Sequence, residues 1–380
     1  MAPRRELDPR RELSKARRVV VKIGSGLITA GDRGADPARI AALAAEVAAV
    51  RAGREMVVVS SGAIATGMGR LALTERPRSI PEKQAAAAVG QSALMWHYEA
   101  AFKPHDIAVG QVLLTAQDIA DRARYLNARN TLLALLAYGV LPIVNENDTV
   151  AVEEIKVGDN DNLSALVASL IEADLLVLLT DVDGLYTEDP ARNPGARKLD
   201  IVETVTGEIT GLASARTGRG SVGGMATKLE AAQKAAASGI PMVIASGYDS
   251  GVLTRILAGE PVGTYFAPRA DRLTARKRWI AFAVAPQGRL AVDAGALRAL
   301  TAGGKSLLPS GVVEVEGDFA AGEVVAVVGA GDGREVGRGL VNFTADELRK
   351  IRGAKTREIE GRLGYKSVDE VIHRDNLVIL

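Results

Sequence analysis

Short apolar runs alternating with longer amphipathic stretches constrain this chain more than any other feature. The runs lie at Val19–Ile23, Met56–Val59, Ile107–Leu114, Val140–Val144, Leu175–Leu179 and Pro241–Ala245. Each is four to eight residues, rich in β-branched or aliphatic side chains, and bounded by Gly or polar residues, as buried strands are. Between them lie helical patterns: the alanine-rich stretch before Gly53, Glu82–Phe102, Asn127–Tyr138 before Gly139, Leu163–Ile171, and Met225–Ala237 before Gly239. Asp36-Pro37 reads as an N-cap and first helical residue, and the glycines as helix stops. Strands alternating with helices predict an α/β fold, a three-layer αβα domain with a mainly parallel sheet over residues 19–266.

The texture changes near Ala267. A charged stretch over 267–284 reads as a linker, and short β-prone runs separated by Gly follow. They predict a small C-terminal β-rich barrel-like domain over 285–367, then an extension over 368–380. Residues 1–18 have no apolar h-region and read as a flexible tail rather than a targeting segment.

Composition narrows the chemistry. The chain has 380 residues, no cysteine and three scattered histidines, which excludes disulfides, thiolate metal sites and cysteine nucleophiles. Lys plus Arg (47) nearly balance Asp plus Glu (46), so no overall charge favours nucleic acid. No apolar run approaches the ~18 residues of a membrane span. A cytoplasmic protein without a membrane partner is expected.

In an open α/β sheet, ligands bind at the C-terminal ends of the strands. The run Val140–Val144 stops abruptly there, and ten of the eighteen residues from Asn145 to Asn162 are Asp, Glu or Asn. Such density suits a small polar ligand with positive charge, or a metal-bound phosphate. Glycine-rich turns follow three other elements: Gly24–Gly26, Ser60–Gly62, and Gly223-Gly224 before the helix at Met225. Their backbone N–H groups suit anionic oxygens. Lys22 sits within an apolar strand, a position that demands a partner; Asp159 or Asp161 could serve. Lys228 lies just beyond the third turn, and Thr180-Asp181 ends the strand Leu175–Leu179. Dinucleotide, P-loop and protein-kinase readings fail. Gly24-Ser25-Gly26 lacks its third glycine, Gly218–Gly223 lacks a preceding strand, Gly303–Ser306 lacks the earlier glycine, and His373-Arg374-Asp375 is too near the C-terminus.

Taken together, VVVKIGSG, SSGAIATG, AVGQ, VNENDTVAVEEIKVGDNDNLSALVA, TDVDGLYTEDP and GGMATKLEAA resemble the glutamate 5-kinase family of the amino-acid kinase superfamily. GKSLLPSGVVEVEGDFAAGEVV and VGRGLVNF resemble its C-terminal PUA domain. The resemblance implies an ATP- and Mg²⁺-dependent kinase that phosphorylates the side-chain carboxylate of L-glutamate, the first step of proline biosynthesis. It implies catalytic roles for Lys22, Lys228 and Asp161, and glutamate contacts from Ser61, Asp148 and Asn160. ATP would meet Lys22, Thr180, Asp181, Val222, Gly223, Gly224, Met225, Ala226, Thr227 and Lys228. Val222 stands where the family usually has Thr. Asn145–Asp148 would face the ammonium, and Asp159–Asp161 the side-chain carboxylate and the lysines. Thr149–Gly158 would be the place of feedback by proline, which shares glutamate's α-amino and α-carboxylate groups. No protein ligand for Mg²⁺ is assigned. Expected partners are further copies of the chain, as a dimer or tetramer, and glutamyl phosphate reductase, which would receive the reactive product. RNA binding through the PUA-like part is not expected at this charge.

Overall fold

A computed structural model of the chain describes residues 8–29, 34–150, 160–188, 190, 193, 195–214, 224–269, 275–365 and 368–380. The chain divides into two compact units, Met1–Arg272 and Leu273–Leu380. No helix among the described residues is long and apolar enough to cross a membrane.

In the larger unit the order is β1 (Arg18–Ile23), α1 (Pro37–Val50), β2 (Glu55–Ser60), α2 (Ala63–Arg70), α3 (Ile80–Phe102), β3 (Val109–Leu114), α4 (Arg122–Ala137) and β4 (Leu141–Glu146). Then come α5 (Asn160–Leu170), β5 (Leu175–Thr180), β6 (Ile201–Val202), α6 (Met225–Ala237), β7 (Met242–Ser246), α7 (Val252–Leu257) and β8 (Thr264–Phe266). The eight strands form one sheet, ordered β3-β4-β2-β1-β5-β7-β8-β6. Every pairing is parallel except β8 against β7. Chain direction across the sheet reverses around β1, whose neighbours are β2 and β5. The crevice at their C-terminal ends is the expected ligand site.

Strand alternation assigns the layers. Val19, Val21 and Ile23 join one apolar cluster with Ile40, Leu43 and Val47 of α1, Leu94, Tyr98 and Phe102 of α3, and Leu253 and Ile256 of α7. Each fully buried aliphatic side chain there contributes ~1.5–3 kcal/mol of transfer free energy. Val20 and Lys22 face the other side of the sheet, where α5 and α6 pack. Asp36 caps α1 as expected, its Oδ1 accepting from the N–H groups of Ala38 and Arg39 at 3.0 and 3.2 Å.

Two elements differ in a way that matters for the site. The helix expected from Leu163 begins at Asn160, so Asn160 and Asp161 occupy the first turn of α5 rather than a loop. The turn after β2 runs into a helix, α2, whose N-cap Gly62 has φ +98°, a conformation that favours glycine. Helix α2 packs so tightly on α3 that a Cβ at Gly90 would lie 1.8 Å from the Ala63 carbonyl oxygen. Two glycines in its eight residues, Gly67 and Gly69, hid this helix from a propensity reading.

The proposed tail is not free from Asp8 onwards. Pro9–Lys15 form a 3₁₀ helix, and Leu13 and Ala16 enter the main core. The proposed linker is likewise structured. Ala275–Arg278 lead into the helical turn Trp279–Ala283, where Ile280 and Ala281 pack against Val324 and Val378. The charged sequence concealed the apolar run WIAFA behind it.

The smaller unit holds β9 (Gly288–Val292), β10 (Val312–Gly317), β11 (Val324–Gly329), β12 (Glu335–Leu340) and β13 (Leu377–Ile379). They form a separate five-stranded sheet ordered β10-β9-β11-β12-β13. Strand β13 pairs antiparallel with β12, and Val371 and Ile372 are buried. The last residues therefore complete this unit instead of extending from it.

Candidate active site

Lys22, Asp161 and Lys228 meet beside the C-terminal end of β1. Lys22 Nζ lies 2.5 Å from Asp161 Oδ1, and Lys228 Nζ lies 3.1 Å from Asp161 Oδ2. The side chains of Lys22, Asp161 and Lys228 are 6%, 0% and 9% exposed. Lys22 turns to the face covered by α5 and α6, Asp161 lies in the first turn of α5, and Lys228 in the first turn of α6. Of the two partners open to Lys22 in the sequence, the structure supplies Asp161; Asp159 lies outside the described residues. Burial acts to push the Asp161 carboxyl up, but the charges and hydrogen bonds of Lys22 and Lys228 outweigh it and hold it below the usual carboxylate range. Thr227 Oγ1 lies 3.0 Å from Asp161 Oδ2 and 2.9 Å from the Gly224 carbonyl oxygen, and donates to either.

On the neighbouring strands a chain of amides converges. Asn160 Nδ2 donates toward the Ser60 carbonyl oxygen (3.2 Å), Ser61 Oγ (2.9 Å) and Asn145 Oδ1 (3.1 Å). Asn145, the penultimate residue of β4, donates from Nδ2 to Gln91 Oε1 of α3 at 2.8 Å. Beneath them, Ser60 Oγ and the buried Tyr98 hydroxyl are 2.8 Å apart, and burial pushes the Tyr98 phenol far up. Of the expected glutamate contacts, Ser61 and Asn160 are thus joined directly. Asp148 is half-buried on the turn after β4, a turn tied to β3 by the Asn147 N–H donating to the Leu114 carbonyl oxygen at 2.9 Å.

The expected nucleotide residues divide. Thr180 ends β5 and donates to Asp181 Oδ1 at 2.9 Å. The turn after β1 abuts it, since the Gly24 N–H donates to the Leu179 carbonyl oxygen at 3.1 Å. Gly224 caps α6, and among the described residues beyond its chain neighbours no atom lies within 4 Å of where a Cβ on it would stand. Met225 is buried and Ala226 exposed, so Ala226 has only its backbone to offer a polar ligand. Val222 and Gly223 lie outside the described residues, as do 151–158 of the segment expected to regulate.

Gln91 has no role in the sequence reading and Asn145 only the ammonium role shared by Asn145–Asp148, although both lie inside segments that carry the resemblance. The available signal was an asparagine continuing the apolar strand Leu141–Val144, because a buried amide requires partners.

No group of three or more His, Cys, Asp or Glu among the described residues is arranged to hold a metal ion. Chemically, the arrangement offers two fixed buried cations at one end and oriented amides at the other. That suits phosphoryl chemistry on a small polar molecule.

Comparison with known proteins finds matches over nearly the whole chain. The family model described as the amino acid kinase family matches residues 17–246, and the PUA domain model matches 288–363. The chain is 53% identical over 376 residues to the glutamate 5-kinase of Moorella thermoacetica, covering 99% of each. It is 52% identical to that of Geobacter sulfurreducens over 97% of this chain and 99% of the relative. With that of Ralstonia nicotianae it shares 54% over 97% and 98%. Among solved structures, UMP kinase from Bacillus anthracis aligns with 68% of this chain and 99% of its own, at TM-score 0.47 and 20% identity.

Proposed function

The chain belongs to the glutamate 5-kinases of the amino acid kinase family, and on that premise we propose that it transfers the γ-phosphoryl group of ATP to the side-chain carboxylate of L-glutamate. The products are L-glutamyl 5-phosphate and ADP, in the first step of proline biosynthesis. One observation carries the reading at the level of residues: Lys22 and Lys228 converge on the buried Asp161 at the C-terminal edge of the sheet.

The nucleophile is already ionised, because a glutamate side chain has a pKa of ~4.3. It needs no general base, which suits a chain with three scattered histidines. A carboxylate oxygen forms a bond to the γ-phosphorus, the bond from that phosphorus to the β–γ bridging oxygen breaks, and its electron pair leaves with ADP. The obstacle is repulsion between two anions. A cation ~4 Å from one of them returns roughly 4 kcal/mol at an effective dielectric of ~20. Lys22 and Lys228 act there, and Asp161 holds both ammonium groups in place, so little reorganisation accompanies the transfer.

In this reading Ser61, Asp148 and Asn160 bind glutamate. Thr180, Asp181, the backbone of 222–226, and Thr227 contact the nucleotide. Both Asp161 oxygens face lysines, and the described residues offer no acidic cluster. No protein ligand is assigned to Mg²⁺, which, bound to the triphosphate, would supply neutralising charge there.

The test is direct. Protein, ATP, Mg²⁺, glutamate and hydroxylamine are incubated, and the acyl phosphate is trapped as glutamyl hydroxamate. Glutamate-dependent hydroxamate is expected; its absence sinks the assignment.

A further inference from the structure

The amides beside Ser61 have a direction that hydrogen-bond chemistry fixes. A backbone carbonyl can only accept, so the Asn160 atom 3.2 Å from the Ser60 oxygen is its NH₂ group. Asn160 Oδ1 is left buried and without a partner among the described residues. A backbone N–H can only donate, so the Asn145 atom that takes the Glu146 N–H at 2.9 Å is its oxygen. Asn145 must then donate from Nδ2 to Gln91, and Gln91 must accept through Oε1. The NH₂ group of Gln91 is left over. Its Nε2 is buried, has no partner among the described residues, and belongs to a residue only 9% exposed. Native structures rarely leave buried donors and acceptors unmade unless something else meets them.

The sheet register says which part of the substrate meets each group. Lys22 is level with Val59, and Val59 with Val144, the residue before Asn145. Two strand spacings of ~4.8 Å therefore separate the Lys22 strand from the Asn145 strand, about 10 Å in all. Gln91 lies at Asn145, at the far end of the site from the lysines. On the reading that the γ-carboxylate of glutamate meets the phosphoryl group at Lys22 and Lys228, only the α end of the amino acid reaches Gln91.

We propose that Gln91 is a specificity-determining residue that donates from Nε2 to the substrate's α-carboxylate, while Asn160 accepts through Oδ1 from the α-ammonium. The chain Ser60–Asn160–Asn145–Gln91 presents one donor and one acceptor to a zwitterion. Asn160 consequently serves the α end of glutamate, not the side-chain carboxylate expected for that stretch of sequence.

Gln91→Glu tests this. The substitution keeps shape and keeps an oxygen for Asn145 to donate to, but replaces the free donor with a negative oxygen. Activity is compared on L-glutamate and on its α-amide, which lacks the α-carboxylate charge, by hydroxamate formation. The KM for glutamate should rise about 10–100-fold, with kcat within about threefold. The preference for glutamate over the α-amide should fall at least ~10-fold, and the KM for ATP should hold. An unchanged preference, or a loss confined to kcat, overturns the proposal. Gln91→Met, of similar volume and without the donor, is run beside it. If Gln91→Glu does not fold, a fall in the same preference for Gln91→Met supports the role and an unchanged preference overturns it. The wild-type assay separates the two readings: no hydroxamate from the wild type defeats the glutamate kinase assignment itself, whereas wild-type activity with an unmoved preference in the variants defeats only the role of Gln91.

Discussion

Asp161→Asn preserves shape while removing a negative charge placed between two buried ammonium groups. Breaking a buried ion pair by neutralising one partner typically costs ~3–5 kcal/mol, because the remaining charge stays buried. Here one carboxylate serves two cations, at 2.5 and 3.1 Å, and its own side chain is fully buried. The loss should lie near the upper end, ~4–5 kcal/mol at pH 7. At ~2–4 °C per kcal/mol for a large domain, the Tm should fall by roughly 8–20 °C. The assay is urea and thermal unfolding of the full chain by circular dichroism, fitted with two transitions because the chain has two units. The pH dependence has a definite sign. Asp161 is depressed in the native state relative to ~3.9 in an unfolded chain, so its contribution is present above about pH 4 and is lost as pH falls through the native value. The gap between wild type and variant should therefore be constant from pH 7 to 5 and narrow below pH 4. A neutral-pH loss under ~1 kcal/mol, or a gap that does not begin to narrow as pH falls below 4, refutes the reasoning.

Three further outcomes follow from the same geometry. Lys228→Ala should lower kcat by ~10²–10³ while leaving the glutamate KM within about threefold, as loss of a transition-state contact does; near-normal turnover in the hydroxamate assay removes that role. Tyr98→Phe should cost ~1 kcal/mol at pH 7, measured by urea unfolding, by deleting the contact with Ser60 under the site. Burial raises the native Tyr98 phenol, so the wild type should lose stability as pH rises above ~10 and the variant should lack that loss. Gly90→Ala places a methyl group 1.8 Å from the Ala63 carbonyl oxygen and 2.4 Å from the Gly67 nitrogen, so α2 and α3 must separate. A destabilisation of ~1–3 kcal/mol or more is expected, and a Tm equal to wild type argues against that close approach.

The amino-acid sequence alone determined the architecture of the larger unit, because strand and helix patterns are local. Val19–Ile23 and Leu175–Leu179 read as buried strands from six or fewer residues, and Asp36-Pro37 as a helix start, since period, branching and capping act over short range. It also brought Lys22, Asp161 and Lys228 to notice, because charged residues beside apolar strands and glycine turns are chemically conspicuous, while Asn160 and Ser61 entered through the resemblance. The small helix after Gly62 was illegible, for its glycines serve helix packing instead of helix propensity. So were the turn Trp279–Ala283 behind basic residues, with Ile280 and Ala281 buried, and the closing strand Leu377–Ile379, whose places depend on neighbours distant in sequence. The residues themselves left Asp159 and Asp161 both open to Lys22 and the resemblance pointed to Asp161; the tertiary structure supplies the contact, with Asp161 in the first turn of α5 aiming one carboxylate at Lys22 of β1. Only it gave the amides their direction. Asn145 and Gln91 lie 54 residues apart, and which atom donates is settled by the fixed polarity of the Ser60 carbonyl and the Glu146 N–H. Sequence supplies functional groups, but orientation arises where strands from different parts of the chain place them within hydrogen-bonding distance.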